Sequence, residues 1–149
     1  MYQRILVPID GSATAAAGLR EAMKLAKAQG GKIRLVHVVD DAPAISPAIY
    51  GAVYEGVVSA LRKAAASVLA AGVDQVRQDD VPVDSQLVEI IGGPAGEYIV
   101  KEAKAWSADL IVCGTHGRRG IRRLVMGSDA EYIVRHSPVP VLLIRGESE

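Results

Sequence analysis

Five short apolar runs alternate with segments of helical periodicity along the chain. Ile5-Leu6-Val7-Pro8-Ile9 reads as a first strand, ended by Asp10-Gly11-Ser12, a turn with a helix-capping serine. Leu19, Ala22, Met23 and Ala26 then recur at helical spacing until Gly30-Gly31 stops the helix. Ile33 to Val39 reads as a second strand, and residues 40–50, with Pro43 and Pro47, as a loop. Val53, Val57, Leu61, Ala64, Val68 and Ala71 predict a long helix ending at Gly72. Val83 to Ile91 is a third strand, interrupted by Asp84, Ser85, Gln86 and Glu89. Gly92-Gly93-Pro94 turns the chain into a helix lined by Ile99, Ala103 and Trp106, with Pro94 in its first turn. Asp109 to Cys113 forms a fourth strand, a last helix covers about 128–136, and Val139 to Arg145 makes a fifth strand.

Strands alternating with helices predict an α/β fold, a doubly wound five-stranded parallel sheet with helices on both faces. In such folds ligands bind beyond the carboxyl ends of the strands, where the strand order reverses. Two turns there stand out, Asp10-Gly11-Ser12 and Gly114-Thr115-His116-Gly117. If both border one site, strands one and four are neighbours and the order is 3-2-1-4-5.

Composition narrows the picture without changing it. With 149 residues, one domain over 1–149 is expected. The 17 basic and 17 acidic side chains cancel, which argues against a nucleic-acid partner. Neither a signal peptide nor an apolar stretch near the ~18 residues of a membrane span is recognised, so a cytoplasmic protein is expected. One cysteine excludes a disulfide framework within the chain, and the absence of Phe beside many Ala and Val suits close packing on a two-faced sheet.

The chemistry concentrates after strand four. Gly114-Thr115-His116-Gly117-Arg118-Arg119-Gly120 allows backbone N–H groups to approach an anion, and the helix beginning near Gly127-Ser128 adds unpaired N–H groups and a partial positive charge. The Ser128 hydroxyl, His116 and the cations Arg118, Arg119, Arg122 and Arg123 complete a phosphate cradle. It is neither a Walker A loop nor a dinucleotide fingerprint. Asp10, at the carboxyl end of strand one, is assigned to ligand contact. His37 reads as a satisfied core histidine, Cys113 as a small core residue, and His136 as a complement to the helix dipole. Asp40-Asp41 and Asp79-Asp80 read as surface charge.

The spacing Gly114-x2-Gly117-x9-Gly127-Ser128 resembles the ATP-binding branch of the universal stress protein family. The likeness extends from Ile5–Ser12 through Leu35-Val36-His37-Val38, Gly92-Gly93-Pro94-Ala95 and Asp109–Val112 to Gly127–Tyr132 and Ser137–Leu142. It implies an adenine nucleotide α-hydrolase-like fold that holds ATP, with Mg²⁺ carried by the nucleotide. Asp10 matches the residue on the nucleoside, with Pro8 and Ile9 beside it. Val38 matches the residue whose backbone holds adenine. Gly114, Gly117, Gly127 and Ser128 match the phosphate-binding positions, and the Asp129 N–H adds a contact.

The resemblance also implies a homodimer, and the long apolar edge expected at strand 139–145 points the same way. The function so implied is a nucleotide-linked homodimeric switch in stress response, with an unidentified downstream protein partner. No base, Walker lysine or carboxylate cluster is assigned, so at most slow ATP hydrolysis is expected. Two alternatives remain: a genuine ATP hydrolase or nucleotidyl transferase on the same fold, and a dimeric interaction protein holding AMP, cyclic AMP or no nucleotide.

Overall fold

The β-branched runs form the strands of one parallel sheet in a computed structural model that describes residues 1–41, 52–116 and 126–146. In chain order the elements are β1 (Arg4–Pro8), α1 (Ala13–Gln29), β2 (Lys32–Asp40), α2 (Ala52–Gln78), β3 (Val83–Ile90), α3 (Ala95–Ala105), β4 (Leu110–Gly114), α4 (Ser128–His136) and β5 (Val141–Ile144). The strand order is β3-β2-β1-β4-β5, as predicted. Each neighbouring pair is parallel.

Alternating side chains of the central strands feed two cores. Ile5, Val7, Ile33, Leu35 and Val112 meet Leu19, Ala22, Ala26, Leu69 and Val76 of α1 and α2 on one face. Leu6, Val36, Ile111 and Cys113 meet Ile99, Val100, Ala103 and Ile133 of α3 and α4 on the other. Burial on both faces explains why β1 and β4 read as unbroken apolar runs rather than alternating ones. It also isolates the Cys113 thiol, and this desolvation pushes its pKa up to about 12.

Several boundaries differ from expectation, each for a local physical reason. The second helix does not end at Gly72 but runs on to Gln78. Gly72 lies inside it because a Cβ there would stand 2.9 Å from both Ile9 Cδ1 and Leu35 Cδ1. The residue permits close approach of helix to sheet instead of stopping the helix. The fifth strand is shorter than 139–145: Ser137 Oγ bonds the N–H and carbonyl of Val139 in a turn, and Pro140 has no N–H to give a ladder. Pro94 is the N-cap of α3, and Trp106 its C-cap.

Asp41, expected at the surface, is 6% exposed, drawn against the end of β3 by its N–H bond to the Ile90 carbonyl (2.8 Å). Contrary to the reading of the apolar stretches, α2 is long and apolar enough by length and composition to cross a membrane, because its many alanines count as apolar without adding bulk. In the fold it packs mainly on β2 and β3.

At the amino ends of the strands, three cations gather over the Trp106 ring. Arg34, Arg4 and Lys32 lie 4.8, 5.3 and 5.8 Å from its centroid. Arg34 also forms a two-pronged bond to Asp84 (2.6 and 2.9 Å) and a third bond to Glu102 (2.9 Å). The hydrogen bonding it donates to Asp84 is the main cause of its raised pKa.

Candidate functional site

The chain leaves β1 toward β2 on one side and reaches β4 on the other, so the crevice between the carboxyl ends of β1 and β4 is the switch point of the sheet. The β1–α1 turn forms one wall. Asp10 Oδ1 accepts the Ser12 N–H (2.9 Å), and Ser12 Oγ accepts the Ala15 N–H (3.1 Å), capping α1. Gly11 sits at φ +83°, a left-handed conformation that glycine adopts without strain. Pro8 ends β1 half-buried, and buried Ile9 gives its N–H to the Val36 carbonyl (2.8 Å).

The Ile9 carbonyl takes a hydrogen bond from His37 Nδ1 (2.5 Å), which fixes that nitrogen as the donor. His37 is therefore the satisfied core histidine that the sequence suggested, and it braces the residue before Asp10. Val38 stands beyond the last β1–β2 pair, Pro8 with Val36. By strand alternation its N–H and carbonyl point to the same side as those of Val36, into the crevice.

The second wall is the end of β4. Thr115 gives its N–H to the Ile144 carbonyl (3.0 Å), and its own carbonyl accepts the Gly127 N–H (2.7 Å). The two ends of the glycine loop are thereby pinned together. Gly117 and Arg118, with Arg119, Arg122 and Arg123, lie outside the described residues. His116 Nδ1 is buried and has no hydrogen-bond partner among the described residues. Gly127 is the N-cap of α4 and supplies no side-chain oxygen, so the first-turn N–H groups are left for an outside acceptor. Its φ of −61° and ψ of 153° suit any residue, so backbone conformation does not demand glycine there. Ser128 opens the helix and is exposed.

Two features escaped the sequence reading. A Cβ on Gly114 would lie 2.6 Å from Thr14 Cγ2 and 3.1 Å from the Thr14 carbonyl carbon and oxygen. The first glycine of the motif thus seats the first turn of α1 against β4. Asp129 was expected to act through its N–H, yet its side chain also has a job: Oδ1 accepts the Gly96 N–H at 3.0 Å, reaching across to α3. Neither contact has a local signature, since the partners lie 100 and 33 residues apart.

Among the described residues no three His, Cys, Asp or Glu side chains gather to hold a metal ion. A shallow recess lined by Gln3, Arg4, Gly30, Gly31, Lys32 and Pro82 lies at the opposite ends of the strands and contains none of the predicted site residues.

Comparison with known proteins agrees with this fold. A profile of the Universal stress protein family matches residues 1–145. A universal stress protein of Methanocaldococcus jannaschii is 30% identical over 145 residues, covering 97% of this chain and 83% of the relative. The crystal structure of a protein of that family from Burkholderia pseudomallei is 31% identical with a TM-score of 0.77, covering 96% of each chain. A hypothetical protein whose biochemical function was assigned from its structure superposes with a TM-score of 0.86 at 25% identity, over 100% of this chain and 99% of that one. At the level of fold alone, a universal stress protein of Archaeoglobus fulgidus in complex with dAMP is 24% identical with a TM-score of 0.67, over 96% of this chain and 98% of that one.

Proposed function

The chain belongs to the universal stress protein family, and we propose that it binds ATP in the β1–β4 crevice as a cytoplasmic, nucleotide-linked homodimer. One observation carries the reading. Gly127 gives the α4 N-terminus no side-chain cap while its own N–H is held by the Thr115 carbonyl, and the adjacent His116 carries a buried nitrogen with no partner among the described residues. An anion with several acceptor oxygens answers both needs. The dAMP complex of a protein of the same fold supports an adenine nucleotide as the ligand class.

In this reading Asp10 and the backbone of Val38, flanked by Pro8 and Ile9, hold the nucleoside. Gly114, His116, Gly117, Arg118, Gly127, Ser128 and the Asp129 N–H surround the phosphates. Mg²⁺ arrives on the nucleotide, where it neutralises phosphate charge. His37 keeps the Ile9 carbonyl and the turn to Asp10 in place. No side chain is assigned as a base, so hydrolysis is at most slow and the consequence of binding is conformational: ATP favours whichever dimer or partner-competent state it binds more tightly.

The dimer forms along β5. It is an outer strand of the sheet and reads Val-Leu-Leu-Ile, with Leu142 37% exposed. The other outer strand, β3, carries Asp84 and Glu89, which discourage edge pairing.

Calorimetric titration of ATP, AMP and cyclic AMP with Mg²⁺ present tests the nucleotide reading, together with identification of any ligand that co-purifies. ATP binding is expected in the parent and strongly weakened by Gly127→Val, whose side chain would intrude on the phosphates. No ATP binding by the parent, or full binding by a folded Gly127→Val protein, refutes it.

A further inference from the structure

The Asp129 carboxylate sits where two helices begin. Pro94, the N-cap of α3, has no side-chain oxygen to offer the N–H groups of the first turn. Asp129 supplies that oxygen from α4, accepting the Gly96 N–H at 3.0 Å. The fit depends on glycine at position 96: a Cβ there would lie 2.8 Å from the Asp129 carbonyl oxygen and 3.0 Å from Tyr132 Cβ. The first turns of α3 and α4 are thus held together by one carboxylate and one missing methyl group. With nine residues, α4 is too short to keep its form or direction by helical propensity alone.

We propose that Asp129 is a positioning residue for phosphate recognition: by capping α3 with its side chain, it aims the open N-terminus of α4 into the crevice. The inference rests on the ATP-binding reading of the site. An acidic residue in the first turn of a phosphate-binding helix would repel its ligand if it faced the crevice. Drawing the carboxylate onto the Gly96 N–H satisfies it and turns it toward α3. Positioning acts on the phosphate end only, since the nucleoside groups Asp10 and Val38 belong to the β1–α1 turn and to β2.

The test compares ATP with adenosine, which lacks the phosphates, by calorimetry on the parent and on Asp129→Ala, Asp129→Asn and Gly96→Ala proteins, each checked for folding by circular dichroism. Asp129→Ala is expected to weaken ATP binding on the order of tenfold, the scale on which a lost helix cap is felt. Adenosine binding is unchanged. Asp129→Asn keeps an acceptor for the Gly96 N–H and removes a charge near the phosphates, so it restores ATP binding to the parent level or better. Gly96→Ala displaces the first turn of α4 and behaves as Asp129→Ala does, which keeps the test decisive should the latter fail to fold.

Unchanged ATP binding in a folded Asp129→Ala protein, equal losses for ATP and adenosine, or an Asp129→Asn protein as weak as Asp129→Ala would each overturn the inference while leaving the ATP site standing. Absence of ATP binding in the parent overturns the site, and the positioning role with it.

Discussion

The two glycines that bracket the phosphate motif are expected to fail in different ways when a methyl group is added. At Gly114 the new Cβ would stand 2.6 Å from Thr14 Cγ2, about 1 Å inside the 3.5–4.0 Å at which carbon atoms rest in contact. Rotation of Thr14 would relieve that clash only in part, because its backbone carbonyl carbon and oxygen are also close, at 3.1 Å. The first turn of α1 must therefore lift from β4. Overpacking of this kind costs about 1–3 kcal/mol. For a chain near 150 residues that lowers the melting temperature by roughly 2–12 °C. Gly127→Ala places its methyl group at a helix N-cap with an ordinary φ of −61°, so it costs under about 1 kcal/mol of stability while weakening ATP binding.

Thermal melts by circular dichroism, with calorimetric titration alongside, separate the two effects. Thr14→Ser, which removes Cγ2, should recover part of the loss in the Gly114→Ala background, a coupling of about 0.5–3 kcal/mol in a double-mutant cycle. A Gly114→Ala protein that melts with the parent, or a cycle with no coupling, would refute the assignment of Gly114 to packing.

Three further outcomes are expected. Ser12→Ala removes the oxygen that accepts the Ala15 N–H and should cost about 1 kcal/mol in denaturant titration; an unchanged midpoint would contradict the cap. The Cys113 thiol keeps its proton up to about pH 12 when folded but loses it above its ordinary 9.0 when unfolded, so rising pH favours the unfolded chain between these values. Its contribution falls by about 1.4 kcal/mol per pH unit there, and the stability difference between parent and Cys113→Ala should shrink accordingly; a difference that stays flat from pH 9 to 11 would show the thiol to be solvated. Leu142→Lys puts a charge on the exposed apolar edge strand and should convert a sedimenting dimer to monomer; a parent that is already monomeric at tens of micromolar (order of magnitude) would refute the edge-pairing argument.

Where the sequence was legible, the physics was local. Strands betrayed themselves as β-branched runs, and the stop at Gly30 was real because that residue takes φ +65°. Gly72 looked identical in sequence and meant the opposite, since what demands glycine there is the approach of Ile9 and Leu35 from the sheet. Asp10 and Gly127 could be proposed because doubly wound folds put ligand contacts at strand ends and helix starts, whereas Val38 rested on the family resemblance alone. His37 and Cys113 were recognisable as core residues from their apolar neighbours. The Asp129 side chain, Thr14 and the burial of Asp41 were hidden, because each depends on partners that the fold brings from elsewhere in the chain.

The three cations over Trp106 have an experimental consequence at the pole of the sheet opposite the crevice. This is the chain's one tryptophan, and there is no phenylalanine. Arg4, Arg34 and Lys32 stand over its ring, so its emission should report the joining of the β1 and β2 amino ends to the end of α3. A ligand in the crevice should leave that light nearly unaltered, whereas fraying of the amino terminus should change it at once. Tryptophan emission, excited apart from the tyrosines, is thus a gauge of one end of this molecule, and an unfolding curve recorded with it describes that end first.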